Sequence, residues 1–135
     1  MEARELMIGD WVRVPHIKKI GKVYRIDRAN GKGNGFAAVI DGDFHESLLE
    51  PIPLKRVHLT KNGFKATDPD DTTFVLKDGY EVEVTFDRGI EEMEIPPTIY
   101  LSIKFADAEY WKTIDYVHQL QHAMRMFDIE KEISL

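Results

Sequence analysis

Hydrophobic and polar positions change their period once along the chain, near the Pro-rich junction Glu50-Pro51-Ile52-Pro53. Before it the pattern is one of short strands cut by turn residues. Ile8-Gly9-Asp10-Trp11-Val12-Arg13-Val14 sets a Gly-Asp turn ahead of an apolar and basic strand, which Pro15 ends by removing a backbone donor. Lys22-Val23-Tyr24-Arg25-Ile26-Asp27 alternates, Phe36-Ala37-Ala38-Val39-Ile40 gives a third strand, and Phe44 to Leu49 a further one after the turn at Asp41-Gly42-Asp43. The Gly- and Asn-rich stretch from Arg28 to Gly35 reads as a long hairpin tip. Four or five short strands in about fifty residues predict a small, strongly bent antiparallel barrel of the SH3-like kind over residues 1–52.

Residues 53–135 read as an α+β lobe. Leu54 to Lys61 predicts a short helix with Leu54, Val57 and Lys61 on one face, closed by Asn62-Gly63 and anchored by Phe64. Strands follow at residues 73–76 and 80–86, joined by the tight turn Lys77-Asp78-Gly79, and at 99–105. Tyr80, Val82, Val84 and Phe86 oppose Glu81, Glu83 and Thr85; Ile99, Leu101, Ile103 and Phe105 point inward while Tyr100, Ser102 and Lys104 point out. That is a sheet with one wet face. The acidic run from Glu91 to Pro97 reads as exposed loop. From about Thr113 the period becomes helical, with Ile114, Val117, Leu120, Met124 and Phe127 forming a stripe that should close over the inner sheet face. The predicted fold class is α+β: an N-terminal SH3-like barrel, then an antiparallel sheet covered by a C-terminal helix.

Composition narrows the chemistry. The 135 residues include no cysteine, which removes disulfides, thiol nucleophiles, zinc ribbons and iron–sulfur clusters. No apolar run approaches the roughly 20 residues that span a bilayer, and the opening residues have no leader-like segment, so a soluble, cytoplasmic protein without a membrane partner is expected. The net charge of −6 is unevenly spread: residues 1–56 carry ten Lys/Arg against eight acids, whereas the remainder carries eight against sixteen. From Arg13 to Lys32 there are seven basic residues and one acid, Asp27. Any surface that attracts phosphate belongs to that segment.

Catalytic constellations are incomplete. The Gly-rich tip has no Gly-Lys-Ser/Thr and opens no helix, so it is not a phosphate loop. His118 and His122 stand four apart, as helical zinc ligands do, but Gln119 occupies the place where a metallohydrolase needs a Glu to activate water. A structural helix is the reading, with no metal and no other cofactor. Asp41, Asp43 and His45 fall out of register for a calcium loop, and Ser47, Ser102 and Ser134 lack a nucleophile elbow. A non-enzyme is expected.

The basic segment places Trp11 and Tyr24 beside Arg13, Lys22 and Arg25, which suits stacking on bases and neutralising phosphates; Trp11 itself is expected to pack into the barrel core. The candidate nucleic-acid-binding residues are Arg13, Lys18, Lys19, Lys22, Arg25 and Lys32. His118, Gln119 and Gln121 form a candidate structural motif, in which Gln121 and His118 bond to exposed backbone.

Four strings taken in order carry a resemblance: Ile8-Gly9-Asp10-Trp11-Val12, Glu50-Pro51-Ile52-Pro53-Leu54, Asn62-Gly63-Phe64 and Tyr116-Val117-His118-Gln119-Leu120-Gln121. Together the chain resembles a family of small proteins of Bacteroides-type gut bacteria and their phages, with an "IGNWV"-like start, an "EPIPLT" junction and a "YVHQLQN" helix. His122 stands where the family usually has Asn, and the tail from Asp128 to Ile133 departs from its common ending. The resemblance implies the architecture and a phage or mobile-element setting; it brings no cofactor and no catalytic residue. The expected function is a non-catalytic binding module for nucleic acid through the basic lobe, or alternatively a protein–protein adaptor.

Overall fold

A computed structural model describes residues 6–28, 35–39, 42–45 and 48–135, and between 25 and 47 it describes the side chain of Phe44 alone. The chain divides into two compact units: Met1–Pro53 with Tyr116–His122, and Leu54–Asp115 with Ala123–Leu135.

In the first unit, β1 (Trp11–Val14) pairs antiparallel with β2 (Lys19–Lys22) on one side and with β6 (Glu50–Pro51) on the other. Strands β3 (Arg25–Arg28), β4 (Gly35–Val39) and β5 (Gly42–His45) form a second three-stranded antiparallel sheet in that order. Alternation along β1 decides its faces. Val12 and Val14 are buried with Leu6, Val23 and Leu49, and Ile17 and Phe44 pack against that cluster. Trp11 and Arg13 therefore take the opposite face. This corrects the expectation that Trp11 is core: its ring is only partly covered.

The strand expected over 22–27 is divided as well. Val23 lies between β2 and β3, where its N–H donates to Asp10 O (2.8 Å) and its carbonyl accepts the Gly9 N–H (2.6 Å), so the ladder gives way there to a link with the Gly9-Asp10 turn. No closed barrel is present among the described residues. The Gly-rich tip, Lys32, Asp41 and Ser47 lie outside them.

The second unit holds a five-stranded antiparallel sheet ordered β11-β10-β9-β8-β7, built from β7 (Lys65–Ala66), β8 (Thr73–Lys77), β9 (Glu81–Asp87), β10 (Thr98–Phe105) and β11 (Ala108–Ile114). Its inner rows follow the register. Leu101, Val84 and Phe74 face one another, as do Ile103, Val82 and Leu76, and all but Leu76 are fully buried. Each such apolar side chain contributes roughly 1.5–3 kcal/mol on burial. Phe105, expected inward, ends the strand exposed, whereas Ser102, expected outward, is buried.

Helix α1 (Arg56–Lys61) ends as expected, with Gly63 at φ +86° and the Phe64 N–H returning to Leu59 O at 3.0 Å. Its inward residue is Leu59, however, and Val57 is exposed. The largest departure is β11, which occupies residues expected to be connection and the start of the last helix. Helix α2 runs Val117–Met126, and its first turn is closed by the Tyr116 N–H donating to Gln119 Oε1 at 3.1 Å. Val117, Leu120 and Met124 are buried as predicted, while Phe127, just past the helix, is partly covered and tilts against Tyr110 at 5.6 Å.

Beyond α2, Asn62 fastens the returning chain. Its Nδ2 donates to His58 O and Ser134 O, and its Oδ1 accepts the Ser134 N–H, each at 2.7 Å. Among the described residues no helix is long and apolar enough to cross a membrane.

Candidate functional site

The outer face of the β1–β2 hairpin collects the aromatic and basic residues singled out by sequence. Trp11 lies directly across from Lys22, and Arg13 across from Ile20, so all four share one face. The Lys22 ammonium sits 5.3 Å from the centroid of the Trp11 ring, within cation–π range. Tyr24, one residue beyond Val23, is 54% exposed. At the other end of the hairpin a 3-10 turn, Pro15–Ile17, is closed by Lys18 in the left-handed region (φ 54°), whose N–H donates to Pro15 O at 3.1 Å. That conformation holds Lys18 at the tip, where it is exposed, with Lys19 exposed beside it.

The basic residues are not gathered as evenly as the sequence suggests. Lys19 pairs with Val14 and so stands on the opposite face of the ribbon from Arg13 and Lys22. Arg13 is matched by Glu50, its Nη2 donating to Glu50 Oε2 at 2.8 Å with both side chains about half exposed. Such a surface pair adds only about 0–1 kcal/mol to stability, but it cancels the net charge at that position. Glu50 lies across from Arg13 in the β1–β6 pairing, a neighbour the sequence could not supply. Arg25 is placed by its backbone in β3, and Lys32 lies outside the described residues.

The motif on α2 has a different job. Gln121 Oε1 accepts the Trp11 N–H at 3.0 Å and its Nε2 donates to Gly9 O at 2.9 Å. Between them, Asp10 is fully buried; its Oδ2 accepts the Met7 N–H at 2.8 Å and lies 2.7 Å from His122 Nε2. Three consecutive residues, 9 to 11, are thus held by two consecutive helix side chains. Gln121 thus bonds backbone, that of the partly covered residues Gly9 and Trp11. The buried Asp10 with the partly covered His122 is the part of the arrangement that sequence reading missed, since the partners are 112 residues apart.

His118 stacks on Tyr116 (5.7 Å, 11°) and meets the His122 ring edge-on (5.4 Å, 70°). Gln119 caps the helix. Among the described residues no group of three or more His, Asp or Glu side chains is placed to hold a metal ion. Asp43 and His45 belong to β5 by their backbone, and nothing in their spacing changes that reading.

Open hollows lie along the second unit. One of about 380 Å³ is lined by Arg56, Phe86, Arg88 and Asp115 among others. Arg56 is already committed there: its Nε donates to Asp71 O at 2.8 Å and its guanidinium lies 5.0 Å from the Phe86 ring. Comparison of the chain with protein-family models, curated proteins and solved structures gives no match.

Proposed function

We propose that the chain is a non-catalytic binding module of a phage or mobile-element setting, acting in the cytoplasm and engaging nucleic acid through the β1–β2 hairpin of an SH3-like lobe. The observation that carries the reading is the shared face of Trp11, Arg13 and Lys22 next to exposed Tyr24: a ring for stacking and cations for phosphate on one short ribbon. Connectivity supports the lobe assignment. One strand pairs with both its successor and the last strand, and the intervening three strands form a second antiparallel sheet, the order in which an SH3-like barrel is wound.

Lys18 and Lys19 extend the cationic edge at the tip, and Arg25 and Lys32 lie on the same stretch of sequence. Gln121 and His122 hold the base of the face by fixing residues 9 to 11. Fluorescence anisotropy with single- and double-stranded oligonucleotides at low salt tests the proposal. About three phosphate contacts give a slope of log affinity against log salt near −2 to −3. Reversing charge with Lys18→Glu, Lys19→Glu and Lys22→Glu together should abolish binding. Absence of binding, or binding indifferent to that triple change, would overturn the reading. The second reading, a protein–protein adaptor, is favoured by Trp111, 66% exposed, and Tyr100 on the sheet of the second unit; it expects a partner captured independently of salt.

A further inference from the structure

We infer that β11 is a self-association edge, along which a second copy of this chain adds its own β11 antiparallel about a two-fold axis at Trp111. The registers of the sheet fix which backbone groups face outward. The Phe86 N–H donates to Thr72 O, so even-numbered residues of β9 bond toward β8 and odd-numbered ones toward β10. Carrying that alternation through the registers Leu101↔Val84 and Leu101↔Lys112 directs the N–H and C=O of Ala108, Tyr110, Lys112 and Ile114 to β10, and those of Glu109, Trp111 and Thr113 away from the sheet.

The next outward carbonyl, Asp115 O, accepts the Leu54 N–H at 2.9 Å, which checks the phase. Among the described residues, Glu109, Trp111 and Thr113 have no such partner on that side. A seven-residue strand with a row of open donors and acceptors is a template for a further strand.

The occupant follows from self-complementarity. With the axis at Trp111, the two Trp111 residues form one hydrogen-bonded pair and Glu109 of each copy faces Thr113 of the other, so every open group of the edge is satisfied reciprocally. The same register sets Lys112 opposite Tyr110, a cation beside an aromatic ring, and Ala108 opposite Ile114. Moving the axis to Lys112 would put two like charges directly opposite. Moving it to Tyr110 would face Glu109 with Trp111 and leave Thr113 without a partner strand position. Trp111, the most exposed aromatic among the described residues, is covered by its equivalent only in the first arrangement.

The absence of native cysteine makes the register directly readable. In a hydrogen-bonded antiparallel pair the Cα atoms lie about 5.5 Å apart, within the range of roughly 4.4–6.8 Å that a disulfide bridges. Trp111→Cys should give a disulfide-linked dimer on mild oxidation. Glu109→Cys alone and Thr113→Cys alone should not, whereas a mixture of those two variants should give the mixed dimer. Sedimentation velocity of the unmodified chain between about 1 and 300 μM should show a monomer–dimer equilibrium, and Trp111→Lys, which sets like charges on the axis, should weaken it at least tenfold while leaving in place the melting temperature measured at a dilution where both chains are monomeric. A monomer throughout that range, cross-linking of equal yield from all three cysteine positions, or a dimer unaffected by Trp111→Lys would overturn the inference. A monomer would leave the edge to a foreign peptide and so counts against the second copy. The oligonucleotide experiment reads a different unit and fails or succeeds independently.

Discussion

The two units solve one problem with the same chemical group but under different constraints. Each contains a buried primary amide that grips the backbone of a segment far away in sequence: Gln121 holds Gly9 and Trp11, and Asn62 holds Ser134. In the first unit the gripped segment leads into strands of two to five residues, and the amide is joined by the buried Asp10 with His122 alongside. In the second the strands reach seven and eight residues and carry unbroken apolar rows, so the sheet is specified before Asn62 acts. The difference teaches that a short-stranded unit relies on side-chain bonds for what a long-stranded one obtains from its ladder and alternation.

The sharpest way to break that comparison is Gln121→Ala. It strands one part-buried donor, the Trp11 N–H, and one part-buried acceptor, Gly9 O, and should lower stability by about 3 kcal/mol in urea unfolding, with loss of amide protection at Trp11. Asn62→Ala removes three hydrogen bonds, but Ser134 is exposed and its released backbone regains water. A cost of about 1–2 kcal/mol is expected, confined in hydrogen exchange to the C-terminal segment and the end of α1. Equal costs for the two variants would mean that the amides do equivalent work and that strand length is irrelevant.

The smallest effect is a pH dependence belonging to the second unit. His58 is held below its ordinary value of 6.5, first by burial and then by the charges of Lys55 and Lys61, and its Nδ1 accepts the Lys55 N–H at 3.0 Å, a bond only the neutral ring can make. Because the folded state binds the proton less readily than the unfolded one, this contribution is complete above 6.5 and is lost as pH falls through the depressed folded value. Stability measured at pH 7.5 and 5 should therefore fall on acidification, and His58→Asn should reduce the fall. An unchanged difference in the variant would assign the effect to other groups.

How much of this was legible in the sequence depends on how each residue is exposed. Strands β8, β9 and β10 have one wet and one dry face, so alternation revealed them to within a residue or two. Strand β11 was hidden because an edge strand has little to bury: of Ala108 to Ile114 only Ile114 is buried and only Tyr110 is partly covered, leaving no period to read. With no strand signal there, Ile114 was absorbed into the helical stripe that properly begins at Val117. Trp11 was misplaced for a related reason, since an aromatic next to Val12 and Val14 looks like core until the pleat assigns it to the other face. The role of Gln121 was legible, as a polar residue beside the buried stripe must find a partner. Its partners were not, because nothing local marks Gly9 and Trp11 as the receiving backbone.

Helix α2 belongs to both units, its residues up to His122 to the first and those from Ala123 onward to the second. That sharing sets an order of events during synthesis. When Pro53 has been made, the first unit still lacks the segment that holds residues 9 to 11, and at about 5–20 residues per second the ribosome needs several seconds more to reach His122. Throughout that interval the Gly9-Asp10-Trp11 turn has no amide to grip it and Asp10 has no imidazole. The second unit, by contrast, can pair β8 with β9 and β9 with β10 as each emerges, through short turns and local contacts. The Gly9-Asp10-Trp11 turn, translated early, is thus held only after β8, β9 and β10 have been made.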